Sequence, residues 1–285
     1  MNSLYPFAID SRYQETVEDW VWKIIESPVV RRGSRVINTR PGNVQIEADV
    51  DTDEVYARCI EELSQERGEG YLYVSEESSH PKEYGKGQRK IFISDPIDGS
   101  SIFSMLGPLS SPLTTAIMLL GYDKEILAAC VGFIWEKKSF GLDRNGLYVI
   151  EKSNPKRYVQ VSEQKKNVTP GEADVAAYFP TKDRLDAIYP LYGKVGNIHN
   201  DGGHPYALRV VEGKEPNSIS VALEATPVPL REHIGPLMAD RGDAFVRTLE
   251  GELLSLDPNP TKKQTSITAT NDILGNKIIA LLKNG

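Results

Sequence analysis

The sequence is poor in cysteine and has no long apolar run. Its two cysteines, Cys59 and Cys130, lie far apart in apolar segments, so they cannot build a disulfide framework. The longest apolar stretch, 113–121, contains two threonines and falls short of the roughly 20 residues that span a bilayer. Residues 1–9 lack the basic start and apolar core of a secretory signal. We therefore expect a cytoplasmic protein with no membrane partner.

The sequence also has fewer basic than acidic residues. The 285 residues include 33 Lys and Arg against 40 Asp and Glu, which leaves a formal net charge of -7. Proteins that bind nucleic acid polymers usually concentrate positive charge, so we expect no such partner. The hydrophobic share of 40% is ordinary for a soluble globular chain. Composition leaves a soluble enzyme or binding protein of one large domain or two lobes.

Apolar periodicity predicts both helices and strands. Apolar residues spaced three to four apart predict a helix over 12–26. A second helix is expected to start after Asp51, which would cap it while the Glu54 side chain bonds back to the cap residue. This helix is expected to stop at Gly68. Short apolar runs at 71–74 and 90–93 read as buried strands that end in acidic residues. The same reasoning predicts strands at 113–120, 125–135 and 146–150 and a last helix at 272–282.

A polar segment at 152–170 marks a change in composition. We place a lobe boundary there, with an N-terminal α+β lobe at 1–155 carrying metal-binding carboxylates and a C-terminal α/β lobe at 156–285 carrying substrate-binding segments. Because strands and helices are mixed in both halves, the sequence predicts a layered α/β architecture.

The sharpest motif is Asp-Pro-Ile-Asp-Gly-Ser-Ser at 95–101. Its residues are turn formers, and a surface turn is the simplest interpretation. The motif follows an apolar strand at once, however, and open α/β sheets bind ligands at the carboxyl ends of their strands. Carboxylates at Asp95 and Asp98, three residues apart around a proline, can converge on a hard cation. We therefore predict a metal site.

This segment resembles the signature of the inositol monophosphatase family, part of a magnesium-dependent, lithium-sensitive phosphatase superfamily with fructose-bisphosphatases and bisphosphate nucleotidases. The resemblance implies an αβαβα sandwich and a homodimer. It also implies that Asp95 bridges two Mg²⁺ ions, that the backbone carbonyl of Ile97 binds one and that Asp98 binds the other. The hydroxyl of Ser100 would help to activate the attacking water.

Two upstream segments fit the same family. The strand at 73–78 resembles one that ends in Gly-Glu-Glu, with Ser75 in place of the glycine, and implies that Glu76 is a metal ligand and part of the catalytic set. The segment 43–49 resembles a stretch with an aspartate that partners the water-activating hydroxyl, which assigns Asp49. The threonine-rich pattern of the family is absent from this segment. Asp49 could instead belong to an acidic cluster at the start of the second helix.

The downstream segment Gly-Gly-His-Pro at 202–205 reads as a helix N-terminus with free backbone N–H groups. The family holds its substrate here with Gly-Ser or Gly-Thr, so the resemblance assigns substrate binding to Gly203 and to His204, which replaces the hydroxyl residue. Glu224 falls where the family has a glutamate that contacts a substrate hydroxyl. An ordinary loop and helix start is the alternative.

The sequence departs from the family at Arg231, which stands where an aspartate binds the second metal. A guanidinium cannot bind a cation. In one alternative, Glu232, one residue later, replaces that ligand while Arg231 binds the substrate phosphate. In the other, Arg231 acts as a fixed cation in place of the second metal. The first is our working prediction.

The sequence thus predicts a Mg²⁺-dependent phosphatase that hydrolyses a small phosphomonoester, such as an inositol or sugar phosphate, by a metal-activated water. A bisphosphate nucleotidase or fructose-bisphosphatase type of enzyme is one alternative. The other is a family member that has lost turnover and acts as a binding protein.

Overall fold

The computed structural model describes residues 4–27, 36–40, 43–78, 80–99, 113–152, 154–179, 181–213 and 219–284. Ser100, predicted to activate water, lies outside these residues. The chain forms two compact units. The first is Pro6–Arg157, and the second runs from Tyr158 onward and includes Leu4 and Tyr5. This division falls two residues after the expected lobe boundary.

The first helix of the N-terminal unit, α1 (Ser11–Glu26), confirms the predicted helix over 12–26. The Asp10 side chain accepts the backbone N–H of Arg12 and caps the helix. Its buried stripe includes Val17, Val21 and Ile24, which recur at the spacing of one helical face.

The second helix, α2 (Glu47–Arg67), starts earlier than predicted. The expected cap at Asp51 is wrong, because the chain turns helical directly after the strand that ends at Ile46. Asp49, at the third helical position, accepts the backbone N–H of Ile46 at 2.6 Å and so takes the capping role. The helix ends at Gly68, whose φ of +66° is left-handed, as the sequence predicts.

A large sheet forms the rest of the N-terminal unit. Strands β3 and β5 are parallel neighbours, and the other described pairs are antiparallel. Helix α1 packs on β6, β7 and β8, and α2 packs on β3 and β5. The strand order is β10-β9-β8-β7-β6-β5-β3-β4, beside a separate β1-β2 hairpin. The strands are β1 (Val36–Arg40), β2 (Asn43–Ile46), β3 (Gly70–Ser75), β4 (Lys82–Tyr84), β5 (Arg89–Asp98), β6 (Thr114–Leu120), β7 (Ile126–Phe133), β8 (Lys138–Asp143), β9 (Gly146–Glu151) and β10 (Arg157–Tyr158).

Strands β1, β2, β4 and β10 were not predicted from the sequence, and two longer strands also differ from the sequence-based expectation. Strand β8 was not predicted, because Lys138 and Ser139 interrupt its apolar pattern although both are buried. Strand β5 continues through Asp98, so the acidic motif lies within the end of a strand and does not form a separate turn after it.

The C-terminal unit has a sheet with helices on both faces. Along β13, Val221 and Leu223 face a core that includes Ile278 of α6, and the alternate residues face α4. Helix α5 packs on the neighbouring strands β14 and β15. The strand order is β12-β11-β13-β15-β14. Its elements are β11 (Asp174–Ala177), α3 (Lys182–Ile188), β12 (Asn197–Asn200), α4 (His204–Glu212), β13 (Val221–Pro229), α5 (Ile234–Asp240), β14 (Phe245–Arg247), β15 (Lys263–Ala269) and α6 (Asp272–Lys283), with 3₁₀ turns at Lys165–Asn167, Pro170–Glu172, Tyr189–Leu191 and Leu230–His233.

The predicted layered α/β class is confirmed. Among the helices that the structure describes, none combines the length and the apolar character needed to cross a membrane.

Candidate functional site

Two carboxylates lie side by side at the carboxyl ends of β3 and β5. Because β3 and β5 are parallel and pair Ser75 with Ser94, the residues that follow these two, Glu76 and Asp95, reach the same edge of the sheet. One carboxylate oxygen of Glu76 lies within 4.8 Å of one of Asp95. Asp95 is 1% exposed, so these charges meet in a largely water-excluded setting. The structure therefore brings together two of the predicted metal ligands.

Asp98 joins this pair because of a β-bulge. Residues three apart on a regular strand point to opposite faces of the sheet. On β5, however, Asp95 pairs with Ala116 and Asp98 pairs with Thr114, so three steps on one strand match two on the other. The extra residue returns Asp98 to the face of Asp95, and their carboxylate oxygens lie within 4.8 Å. Pro96 lies within this bulge, where its lack of a backbone N–H costs no hydrogen bond between the strands.

The chemistry of this donor set fits a divalent cation. Two carboxylates about 5 Å apart repel each other by roughly 3 kcal/mol at an effective dielectric near 20, and a cation bound between them removes that repulsion. Carboxylate and carbonyl oxygens are the protein ligands that Mg²⁺ takes. The side chain of Ile97 is buried in the hydrophobic core, which anchors the bulge that carries its carbonyl.

Asp49 lies at the start of α2 in the same unit. Burial raises the pKa of its carboxyl to about 8, opposed by the hydrogen bond from Ile46 and aided by the nearby charge of Glu77. Its Oδ2 holds the Ile46 N–H, and its buried Oδ1 has no hydrogen-bond partner within the described residues. Asp49 thus both caps α2 and offers one oxygen for another group; its predicted partner Ser100 is outside the described part of the chain.

In the C-terminal unit, His204 begins α4 after Gly203, whose φ is +85°. The imidazole is fully buried, and its Nδ1 accepts the backbone N–H of Gly235 at 3.0 Å. We therefore assign the ring proton to Nε2, which makes that atom a hydrogen-bond donor. Contrary to the expectation of free amides, the N–H of Gly203 donates to Oε1 of Glu224 at 3.4 Å.

Glu224 and Glu232 line one small cavity of this unit with Gly203. Its volume of about 10 Å³ suits one water-sized group. The carboxylate of Glu232 lies 3.7 Å from Nε of Arg231, and both side chains are about one-fifth exposed. The predicted substrate residues thus share one region of the unit.

The buried polar groups behind Glu76 and Asp95 were not predicted from the sequence. The Tyr73 hydroxyl donates to Oδ1 of Asp53 at 2.7 Å and lies 2.8 Å from the hydroxyl of Ser94. The only signal in the sequence was a tyrosine and a serine interrupting apolar strands just before the acidic residues.

No protein-family model matches this sequence, and no curated protein matches it. Solved structures do resemble it along nearly its whole length. SuhB, an extragenic suppressor protein from Bartonella henselae, has a TM-score of 0.73 at 19% identity, covering 97% of this chain and 100% of its own. The inositol monophosphatase of Thermotoga maritima has a TM-score of 0.71 at 15% identity, covering 96% and 97%.

A third similar structure is an inositol monophosphatase/NADP phosphatase solved with Mg²⁺ and phosphate. Its TM-score is 0.70 at 12% identity, covering 96% of each chain. These likenesses confirm the predicted resemblance at the level of the fold: the chain folds as the inositol monophosphatases do.

Proposed function

We propose that this protein is a Mg²⁺-dependent phosphatase that hydrolyses a small phosphomonoester, such as an inositol or sugar phosphate. The observation that carries the proposal is the convergence of Glu76, Asp95 and Asp98 at adjoining strand ends. The fold supports it, because a similar structure was solved with Mg²⁺ and phosphate.

Glu76, Asp95 and Asp98, with the backbone carbonyl of Ile97, would hold the metal. Bound Mg²⁺ would offset the negative charge of the phosphate and lower the pKa of a bound water. Asp49 would orient the attacking water through its unbonded Oδ1, together with the Ser100 hydroxyl. At neutral pH its raised pKa keeps this carboxyl largely protonated before a metal binds, so it can also donate a hydrogen bond.

Groups of the C-terminal unit would bind the organic part and the phosphate. The Nε2–H of His204 is a donor, as an oxyanion or hydroxyl oxygen requires, whereas Glu224 is an acceptor suited to a substrate hydroxyl. Arg231 would contact phosphate, and Glu232 would add a carboxylate for the cation. In this proposal the protein acts in the cytoplasm as a homodimer, which sedimentation analysis would test.

The test is phosphate release from inositol, sugar and nucleotide phosphates, with and without Mg²⁺. Asp95→Asn should reduce turnover by several orders of magnitude without loss of folding, because a buried ligand that contacts the metal is neutralised. Asp51→Asn is the matched control, since Asp51 is an exposed acid on α2 outside the site. Near-normal turnover of Asp95→Asn would contradict the metal assignment.

A binding protein without turnover is the second candidate. It is favoured by one observation, the ion pair that Arg231 forms with Glu232 in place of the family's metal-binding aspartate. Saturable Mg²⁺ binding by calorimetry, combined with no phosphate release from any tested ester, would select this alternative. An enzyme of the bisphosphate type would instead prefer substrates with two phosphates.

A further inference from the structure

The two candidate ligands Glu76 and Asp95 are each preceded by a serine. Ser75 ends β3, Ser94 lies one residue before Asp95 on β5, and the two serines are register partners. Both are buried, with Ser94 fully so. The positions of these serines therefore set where the two carboxylates can reach.

A tyrosine hydroxyl of β3 reaches the serine that precedes Asp95 on β5. Tyr73 is fully buried on β3, on the same face as Ser75, and its hydroxyl is hydrogen-bonded to Ser94 at 2.8 Å. Ser75 accepts the backbone N–H of Glu77 at 3.2 Å, which holds the turn that contains Glu76.

Asp53 on α2 orients this hydroxyl. A carboxylate only accepts hydrogen bonds, so Tyr73 donates its proton to Oδ1 of Asp53 at 2.7 Å, and its oxygen accepts from Ser94. The other oxygen, Oδ2, pairs with Nζ of Lys82 at 2.9 Å. Because Lys82 balances the charge of Asp53, this buried carboxylate adds little net charge near the metal ligands.

We propose that the Tyr73 hydroxyl, oriented by Asp53, is the positioning group of the metal site: its hydrogen bond to Ser94 ties the end of β5 to β3 and thereby sets the separation of the Glu76 and Asp95 carboxylates. This inference rests on the proposed metal-dependent function. Two carboxylates this close repel each other, so without the hydroxyl the strand ends would move apart in the metal-free protein. Holding them in place lowers the reorganisation that metal binding requires, as hydrogen bonds behind metal ligands commonly do.

The test compares two tyrosines of the same strand. Tyr73→Phe removes the hydroxyl and keeps the ring. Tyr71→Phe is the matched control, because Tyr71 is also buried on β3 and also donates to a carboxylate, that of Glu69, but at the opposite end of the strand. Mg²⁺ binding is measured on the full chain by calorimetry and by the shift in melting temperature with Mg²⁺ concentration.

We expect Tyr73→Phe to raise the Mg²⁺ concentration for half-saturation by about tenfold or more. Saturating Mg²⁺ should restore most of kcat and leave KM near the wild-type value. Tyr71→Phe should lower the melting temperature of the metal-free protein and leave the Mg²⁺ midpoint unchanged. If Tyr73→Phe does not fold, Ser94→Ala should raise the midpoint in the same way and Ser94→Thr should restore it.

The outcomes separate this inference from the proposed function. Wild-type protein that shows no saturable Mg²⁺ binding would overturn both. Wild-type protein that binds Mg²⁺, with an equal midpoint in Tyr73→Phe and Tyr71→Phe, would overturn the positioning role alone.

Discussion

The Nδ1 atom of His204 accepts the backbone N–H of Gly235 at 3.0 Å, which joins the starts of α4 and α5. A Cβ added at Gly235 would lie 2.7 Å from both Cα and the carbonyl oxygen of His204. Only glycine permits this approach. The orientation of the His204 ring therefore depends on a residue far from it in the chain.

Gly235→Ala should displace the start of α4. Because the clash is with backbone, we expect a loss of about 2 kcal/mol in the free energy of unfolding. The proposed phosphatase should show a larger rise in KM than fall in kcat. Gly171→Ala is the control, since an added Cβ there would meet nothing within 4 Å. Urea unfolding and substrate titrations measure both effects, and equal KM in the two variants would refute a substrate role for His204.

Lys165 should stabilise the other end of α4. Its buried ammonium donates to the carbonyls of Arg209, Val210 and Ile219 at 3.0–3.3 Å. Lys165→Met removes these three charge-assisted bonds from buried carbonyls, so unfolding should require about 2 kcal/mol less. Lys166→Met, which loses only an ion pair with the exposed Glu163, should change little. Equal stability of the two variants would show that Lys165 contributes no more than a surface lysine.

Glu18 should make stability depend on pH. Burial raises its pKa to about 7 from 4.5, partly offset by a hydrogen bond from Gln14. Between these pH values the folded protein holds a proton that the unfolded chain has lost, so stability falls as pH rises from about 4.5 to 7.

Glu18→Gln should therefore be more stable than the wild type at pH 8, by about 2 kcal/mol, and gain nothing at pH 4. Glu15→Gln, at an exposed position on the same helix, is the control. Chemical unfolding across this pH range gives the comparison; a gain that is the same at pH 4 and pH 8 would contradict the assignment.

Arg231 and Glu232 should have separable roles. If Glu232 supplies a metal-binding oxygen, Glu232→Gln raises the Mg²⁺ concentration that half-maximal turnover requires. If Arg231 contacts the phosphate, Arg231→Ala raises KM instead. Glu252→Gln, an exposed acid of the same unit, should alter neither quantity. Unchanged Mg²⁺ dependence in Glu232→Gln would favour the alternative in which Arg231 serves as the fixed cation.

The local chemistry of the candidate metal site was predictable from the sequence. Apolar runs that end in Glu76 and Asp95 identify strand ends with carboxylates, because strand periodicity and polarity are local properties. The stop of α2 at Gly68 followed from glycine's access to left-handed backbone, again without reference to the rest of the chain.

Only the tertiary structure decided how these parts combine. Helix α2 begins at Glu47 because Asp49 caps it where the preceding strand ends. Several aspartates lie close together in this segment, and the sequence alone did not show which of them is the cap. The bulge that turns Asp98 toward Asp95 depends on pairing with β6, and the chain from Asp53 through Tyr73 to Ser94 joins three elements. Such contacts join residues distant in sequence and depend on packing geometry, which residue type and spacing alone do not specify.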